Sequence, residues 1–331
     1  MGPGAIAHTF ARAVASLEAC EIVAVGSRDT GRARAFAEEH NVPVALEGYQ
    51  ALAEHPEVEA VYVATPHSAH RDAALLAIAA GKHVLVEKSF TRNAAEAREV
   101  VDAARAAGVF CMEAMWTRFL PRHVVVRHLA RSGALGEIVQ VSADLGHRLA
   151  HVPRMREPEL AGGALLDLGV YPISFIVSLL GCPTSVTTFG SHYETGVDAG
   201  AAVHLAFDGS TAAGSGPAAA AARATATATT TMVATTPKRA WVAGTEGFCD
   251  LDPDFHGPGG LTVDLGWPGG AVRWDGPAED RGGFEFQIAE VARRVAAGET
   301  ESPIMPLDET VAIMELMDGV RRDLGVIFPG E

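Results

Sequence analysis

The sequence predicts an α/β protein of two domains: a doubly wound parallel sheet, then an α+β domain with a large, mostly antiparallel open sheet. Three observations carry this. At 331 residues the chain exceeds the size at which single cores usually split. Its first third alternates short apolar runs with amphipathic stretches. After Trp116 that rhythm gives way to alternating strands broken by Gly-Pro turns.

In the first region the strand candidates are Glu21–Ser27, Val58–Thr65, His83–Glu87 and Val109–Ala114. Helical patterns lie between them at Thr30–Glu39, Ala69–Ala80 and Asn93–Ala107. Strands alternating with helices imply crossover units and a parallel sheet covered on both faces. We therefore read residues 1–116 as a dinucleotide-binding domain. Residues 117–331 form the second domain, with its closing helix 307–324 expected to pack back on the first. Its open antiparallel sheet would expose an apolar face too large for a monomer to leave wet, so a homodimer through that face is expected. That second part opens with a helix near Pro121–Arg131 and an alternating strand, Glu137–Leu145. A helix begins near Asp167, and strands fill 184–275. Within them, Ala212–Thr236 is almost wholly Ala and Thr, which reads as a strand pair around a loose loop. Helices at Gly283–Ala297 and Leu307–Leu324 close the chain, the latter with Asp308 and Glu309 suited to a helix N-terminus.

The net charge of −15 repels phosphate backbones and anionic lipid, so neither nucleic acid nor membrane is expected as a partner. No uncharged run has the ~20 apolar residues of a membrane span. Four cysteines, Cys20, Cys111, Cys182 and Cys249, are scattered without metal-type spacing, and a reducing cytoplasm is the expected location.

Gly2-Pro3-Gly4-Ala5-Ile6-Ala7 fits G-x-G-x-x-A ahead of a helical pattern. The first Gly permits the turn and the second lets backbone approach a pyrophosphate. The small last residue permits close packing, with the helix N-terminus facing the phosphates. No strand precedes Gly2. Since that strand is central in such a sheet, we expect ~6–10 apolar residues upstream of Met1, with Met1 as the strand's last residue.

The next strand ends at Gly26-Ser27-Arg28-Asp29. A site for NAD holds an acid at this tip to bind the ribose 2′-hydroxyl. Ser27 and Arg28 instead suit a 2′-phosphate, with Asp29 left to cap the following helix. NADP is thus expected in preference to NAD.

Glu87-Lys88-Ser89 ends another buried run, at the sheet edge where ligands bind. Asp167 and Tyr171 stand four apart, on one face of a helix. A phenol beside an ammonium is eased toward deprotonation, so Lys88 and Tyr171 could move the proton that accompanies hydride transfer. As plain structure, Lys88 would be a surface charge and Tyr171 a packing residue.

The sequence resembles the Gfo/Idh/MocA oxidoreductases along nearly its whole length. The likeness rests on GPGAIA, VYVATPHSAH (61–70), GKHVLVEKSF (81–90), MEAMWTRFLP (112–121), GEI (136–138), GGALLDLGVYP (162–172), VAGTEG (242–247) and SPIMPLDET (302–310). EAMWTRF and DLGVYP are similar to the dihydrodiol and xylose dehydrogenase branch. The resemblance implies a Rossmann domain, then a domain whose open sheet carries substrate pocket and homodimer interface. It casts Lys88 and Tyr171 as the proton-handling pair, with Asp167 ordering the site. Cofactor contacts fall to Gly2, Gly4, Ala5, Ile6, Ser27, Arg28, Thr65, Pro66, His67, His70, Glu87, Lys88, Trp116 and Arg118. Trp116, Lys88 and Tyr171 would meet the substrate. The pair His67 and His70 lacks a third ligand, so no metal is expected. Where the family has proline after Glu-Lys, this chain has Ser89, which removes a constraint on the lysine's backbone.

The reaction implied is transfer of hydride between NADP and a secondary or anomeric hydroxyl of a small sugar or cyclic trans-diol. A non-catalytic NADP-binding regulator, or an inactive truncated paralogue, is the alternative.

Overall fold

The computed structural model describes residues 1–209, 223–266, 269–277 and 282–331. Two compact units divide the chain: Met1–Trp116 with Arg281–Met314, and Thr117–Asp280 with Glu315–Glu331. The first stretch of the first unit ends at Trp116, and the segment from 281 to 314 belongs with it.

The first unit runs α1 (Ala5–Val14), β1 (Ala24–Ser27), α2 (Thr30–His40), β2 (Val44–Glu47), α3 (Tyr49–Ala53), β3 (Ala60–Val63), α4 (His70–Ala79), β4 (His83–Glu87), α5 (Ala94–Ala107) and β5 (Cys111–Ala114). β4 and β5 are buried along almost their whole length, as continuous apolar strands covered on both faces must be. Asp29 caps α2 by accepting from Arg32 N–H, and Asn93 caps α5 by accepting from Glu96 N–H. Gly108 then ends α5 in the left-handed region, φ 65°. The short β2 and α3 carry no sequence pattern long enough to announce them.

All strand pairs here are parallel, but they form two sheets, β1-β2 and β3-β4-β5. Met1 and Gly2 together bond to both inner edges. Gly2 N–H donates to Gly26 O (3.1 Å), Ala64 N–H donates to Met1 O (2.9 Å), and the Met1 ammonium donates to Tyr62 O (2.7 Å). Behind them a cavity of about 560 Å³ follows the gap, lined by Val23, Val25, Val61, Phe10, Ile288 and Val291 among others.

The second unit contains α6 (Pro121–Ser132), β6 (Ile138–Gly146), the short α7 (Pro153–Arg156), a π-helical turn at Leu165–Gly169, and α8 (Val170–Leu180). Strands β7 (Ser185–His192), β8 (Asp198–Phe207), β9 (Ala224–Thr231), β10 (Ala240–Gly244), β11 (Phe248–Leu251), β12 (Leu261–Asp264) and β13 (Ala271–Trp274) follow. The eight-stranded sheet has the order β13-β12-β11-β10-β6-β9-β8-β7, antiparallel except for β6 with β9. Helix α9 (Glu285–Ala296) lies in the first unit, and the division of the chain falls within α10 (Leu307–Leu324).

Three expectations change here. Of the Ala/Thr stretch 212–236, Ala224–Thr231 is a central strand with alternate residues buried, and residues 210–222 lie outside those described. Pro158–Leu180 does have the length and hydropathy of a membrane span, and 94% of its most apolar window is buried inside the protein, as in a core helix. Finally, the outer face of the sheet is not broadly apolar. Register places Thr225, Thr227 and Thr229 beside Gln140, Ser142 and His204 there, with Phe189, Trp241 and Phe248 around them.

Candidate active site

The glycine turn of the first unit has the geometry expected for phosphate binding. Gly2 has φ 84°, and a Cβ there would meet the Ala64 carbonyl oxygen at 2.9 Å, so only glycine fits. Gly4 is the N-cap of α1 with no side-chain cap, and a Cβ on it would meet nothing within 4 Å. Backbone N–H groups at an open helix N-terminus suit a pyrophosphate, with Ala5 and Ile6 in the first turn. At the tip of β1, Ser27 is buried and its hydroxyl accepts from Asp29 N–H (3.1 Å), while Arg28 is exposed. Arg32, which the sequence did not single out, donates to Pro3 O (3.1 Å) and ties the glycine turn to α2.

Thr65, Pro66 and His67 follow β3, and His70 opens α4. His70 is fully buried between two carbonyls, its Nε2 2.7 Å from Thr65 O and its Nδ1 2.9 Å from Ser89 O. Burial lowers its pKa more than the two carbonyls raise it, so the ring is neutral and donates through one nitrogen. His67 and His70 stand edge to face, 5.6 Å between centroids.

At the end of β4, Glu87 is buried, accepting from the Tyr62 hydroxyl and from Lys88 N–H (3.2 Å). Tyr62 in turn stacks on Phe10 at 3.8 Å. Lys88 is half-buried, and the peptide joining it to Ser89 is cis. Phe90 N–H donates to the buried Glu113 carboxylate (3.1 Å), which holds the turn after the lysine. Trp116 stacks on Phe284, 4.7 Å between rings.

In the second unit the loop 161–164 and the π-turn set up α8. Asp198 reaches from β8 to accept from Leu165 N–H (2.6 Å), and Gly163, φ 113°, leaves it room: a Cβ there would lie 2.2 Å from Asp198 Oδ1. Asp167 sits in the π-turn rather than on the α-helical face assumed from its spacing. It is buried, and Arg154 Nη1 donates to its Oδ1 at 2.9 Å. Tyr171 lies in the first turn of α8, 8% exposed, with its ring 5.4 Å from that of His256. Arg118, expected at the cofactor, is buried and turned to α8. It donates to Ser174 Oγ (2.8 Å) and Ser174 O (2.9 Å), so it anchors the helix that carries Tyr171.

Sequence reading missed His147 and His256. With Asp254 they place potential ligand atoms within 4.8 Å of one another, as do His8, Glu39 and His40 in the first unit. A histidine in the Pro- and Gly-rich segment DPDFHGPG was the available signal, since functional groups concentrate on loops held by a rigid scaffold.

A phosphate-binding glycine turn on a parallel α/β unit, followed by a sheet domain carrying a buried tyrosine, defines a nucleotide-dependent oxidoreductase. Comparison with known proteins gives the family. Residues 1–115 match the oxidoreductase family with an NAD-binding Rossmann fold, and residues 123–249 match the GFO/IDH/MocA C-terminal domain. The chain is 35% identical to the trans-1,2-dihydrobenzene-1,2-diol dehydrogenases of Mus musculus and Homo sapiens over 333 residues, covering 98% of this chain and 96% of each relative. Among solved structures, KijD10, a 3-ketoreductase from Actinomadura kijaniata in complex with NADP and TDP-benzene, superposes with a TM-score of 0.83. It is 27% identical, over 97% of this chain and 95% of that one. Aldose-aldose oxidoreductase from Caulobacter crescentus shares the fold, with a TM-score of 0.81 at 24% identity over 94% and 92% of the two chains. The chain belongs to the Gfo/Idh/MocA oxidoreductase family, and it is a dehydrogenase.

Proposed function

We propose that this dehydrogenase transfers hydride between NADP and a secondary or anomeric hydroxyl of a small sugar or cyclic trans-diol. The observation that carries the reading is Tyr171, buried on α8, with Asp167 on the preceding turn held by Arg154 of α7. A purely binding protein has no use for a phenol so placed. The names of the relatives, trans-1,2-dihydrobenzene-1,2-diol dehydrogenases and a 3-ketoreductase, support the substrate class.

In oxidation, the bound nicotinamide would supply the hydride acceptor. The glycine turn and the N-terminus of α1 hold the pyrophosphate. Tyr171 takes the proton of the substrate hydroxyl, and Lys88 is the second group assigned to proton handling. Asp167, paired with Arg154, fixes the turn from which Tyr171 projects. Support for NADP over NAD comes from Ser27 and Arg28 at the β1 tip. Asp29, the acid that follows them in the chain, is engaged in capping α2.

The test is absorbance of NADPH formed from NADP⁺ in a panel of aldoses and cyclic trans-diols. Turnover with at least one is expected. Tight NADP binding with no turnover across the panel would favour the regulator instead. We further propose a homodimer through the outer sheet face, on which Phe189, Trp241 and Phe248 surround the threonine ladder, and a cytoplasmic location consistent with four free cysteines. Light scattering at micromolar concentration checks the dimer, and a monomer contradicts it.

A further inference from the structure

The loop between β11 and β12 is held in place at unusual expense. Arg122, on α6 and 1% exposed, donates Nη1 to Asp252 O (3.4 Å) and Nη2 to Asp254 O. The neighbouring His123 reaches Phe255 O with Nε2 at 2.7 Å; burial pulls its pKa down to about 3, so the neutral ring donates this bond. Phe255 N–H donates to Lys238 O (3.0 Å), and its ring is fully buried against Phe175 of α8. A Cβ on Gly259 would strike the Arg122 guanidinium at 2.6 Å. A buried guanidinium and a buried neutral imidazole thus hold three carbonyls of one surface loop.

What the loop presents is His256. Its ring lies 5.4 Å from that of Tyr171 and 5.6 Å from that of His147, which follows β6. Asp254 completes the group within 4.8 Å and is paired with Lys238. Exposure rises along the series: Tyr171 is buried, His256 and His147 are half-buried, and Asp254 is open to solvent. A divalent cation is disfavoured here because the Lys238 ammonium already neutralises the one carboxylate of the set.

We propose that His256 and His147 are positioning residues that carry the proton released at Tyr171 outward to Asp254 and water. This rests on Tyr171 being the proton-handling group. Alcohol oxidation sends the C–H pair to the nicotinamide as hydride and leaves the hydroxyl proton on the Tyr171 oxygen. His256 takes that proton on a ring nitrogen and, as its ring turns, gives a proton up to His147. His147 passes a proton to Asp254 and solvent in the same way, and both rings return to neutral. One proton leaves per hydride transferred, and reduction runs the path backwards.

The charges around the path suit neutral, accepting rings. Burial and the Lys238 ammonium lower the His147 pKa, against the opposing carboxylates of Asp254 and Asp167, and Asp167 is itself paired with Arg154. Arg122 and His123 lie behind the loop and face its carbonyls.

The experiment uses the NADP⁺-loaded enzyme with trans-1,2-dihydrobenzene-1,2-diol and follows His256→Asn and His147→Asn across pH. We expect kcat to fall at least tenfold near neutral pH, with NADP⁺ affinity unchanged. Added imidazole should restore turnover, and the solvent isotope effect on kcat should rise. A loss of equal size at every pH without imidazole rescue means the histidines only support the fold, and overturns the proposal. So does stoichiometric binding of added Zn²⁺ that His147→Asn abolishes, since the cluster is then a metal site. Tyr171→Phe separates the levels. If it keeps full turnover, the tyrosine reading fails; if it is inactive while His256→Asn is normal, only the relay fails.

Discussion

Arg154 Nη1 lies 2.9 Å from Asp167 Oδ1, joining a guanidinium on the short helix α7 to a carboxylate buried in the π-turn before Tyr171. The arginine is 47% exposed and the aspartate 6%, so the carboxylate depends on the pair more than the cation does. Arg154→Ala leaves a buried charge without this partner. It is expected to cost ~1–2 kcal/mol of stability, reduced by solvent screening, and to lower kcat by shifting Tyr171. Thermal melts and steady-state kinetics check it; unchanged kcat with a lowered Tm would make Asp167 purely structural.

Tyr171→Phe removes the proton-handling hydroxyl but keeps the ring that packs near His256. Turnover should fall ~10²-fold or more with cofactor affinity intact, and Lys88→Met should behave alike. The double variant should fall short of the product of the singles, because the two groups act on one proton. Multiplicative losses would mean separate roles.

Arg28 is exposed at the tip of β1, free of any strand role. Arg28→Ala should weaken NADP(H) by ~1.5–3 kcal/mol, the worth of a charge-assisted bond, and leave NAD(H) nearly unaffected. Equal losses, measured by NADPH and NADH titration, would remove the 2′-phosphate assignment.

The parts of this site legible in sequence were those carried by contiguous residues. GPGAIA, HVLVEKS and DLGVYP each encode turn, element and functional side chain together. His147 and His256 are far apart in the chain and meet only because β6 pairs with β10 and β10 with β11. Arg118 was placed at the cofactor by the resemblance alone, and its bonds to Ser174 of α8, 56 residues on, have no signature in the sequence. The outer sheet face was open to a better reading. In ATATATTT the period of two puts Ala on one face and Thr on the other, which argues against a wholly apolar surface.

Asp198 is buried at the start of β8, accepting from Leu165 N–H, and burial raises its pKa from 3.8 to about 6. Between these values the folded chain holds a proton that the unfolded chain releases, so stability falls as pH rises from about 4 to 6 and stays lower above. Asp198→Asn keeps an acceptor for Leu165 without the charge. It should stabilise the protein by ~1–3 kcal/mol at pH 7 and little at pH 4. Denaturant melts at the two pH values measure this, and a variant less stable at pH 7 would refute it.

A cavity of about 560 Å³ follows the gap between β1 and β3, with Met1 and Gly2 among its lining. Parallel strands sit ~4.8 Å apart, so one extended segment in that gap could bond to both edges. A variant carrying five to seven Val, Ile or Leu residues ahead of Met1 is therefore expected to melt ~10 °C higher, as several kcal/mol would raise a chain of this size. The same number of Ser and Gly residues at that place is the control, since it lengthens the chain without filling the gap with apolar side chains. If the two variants melt at the same temperature, the gap does not accept a strand.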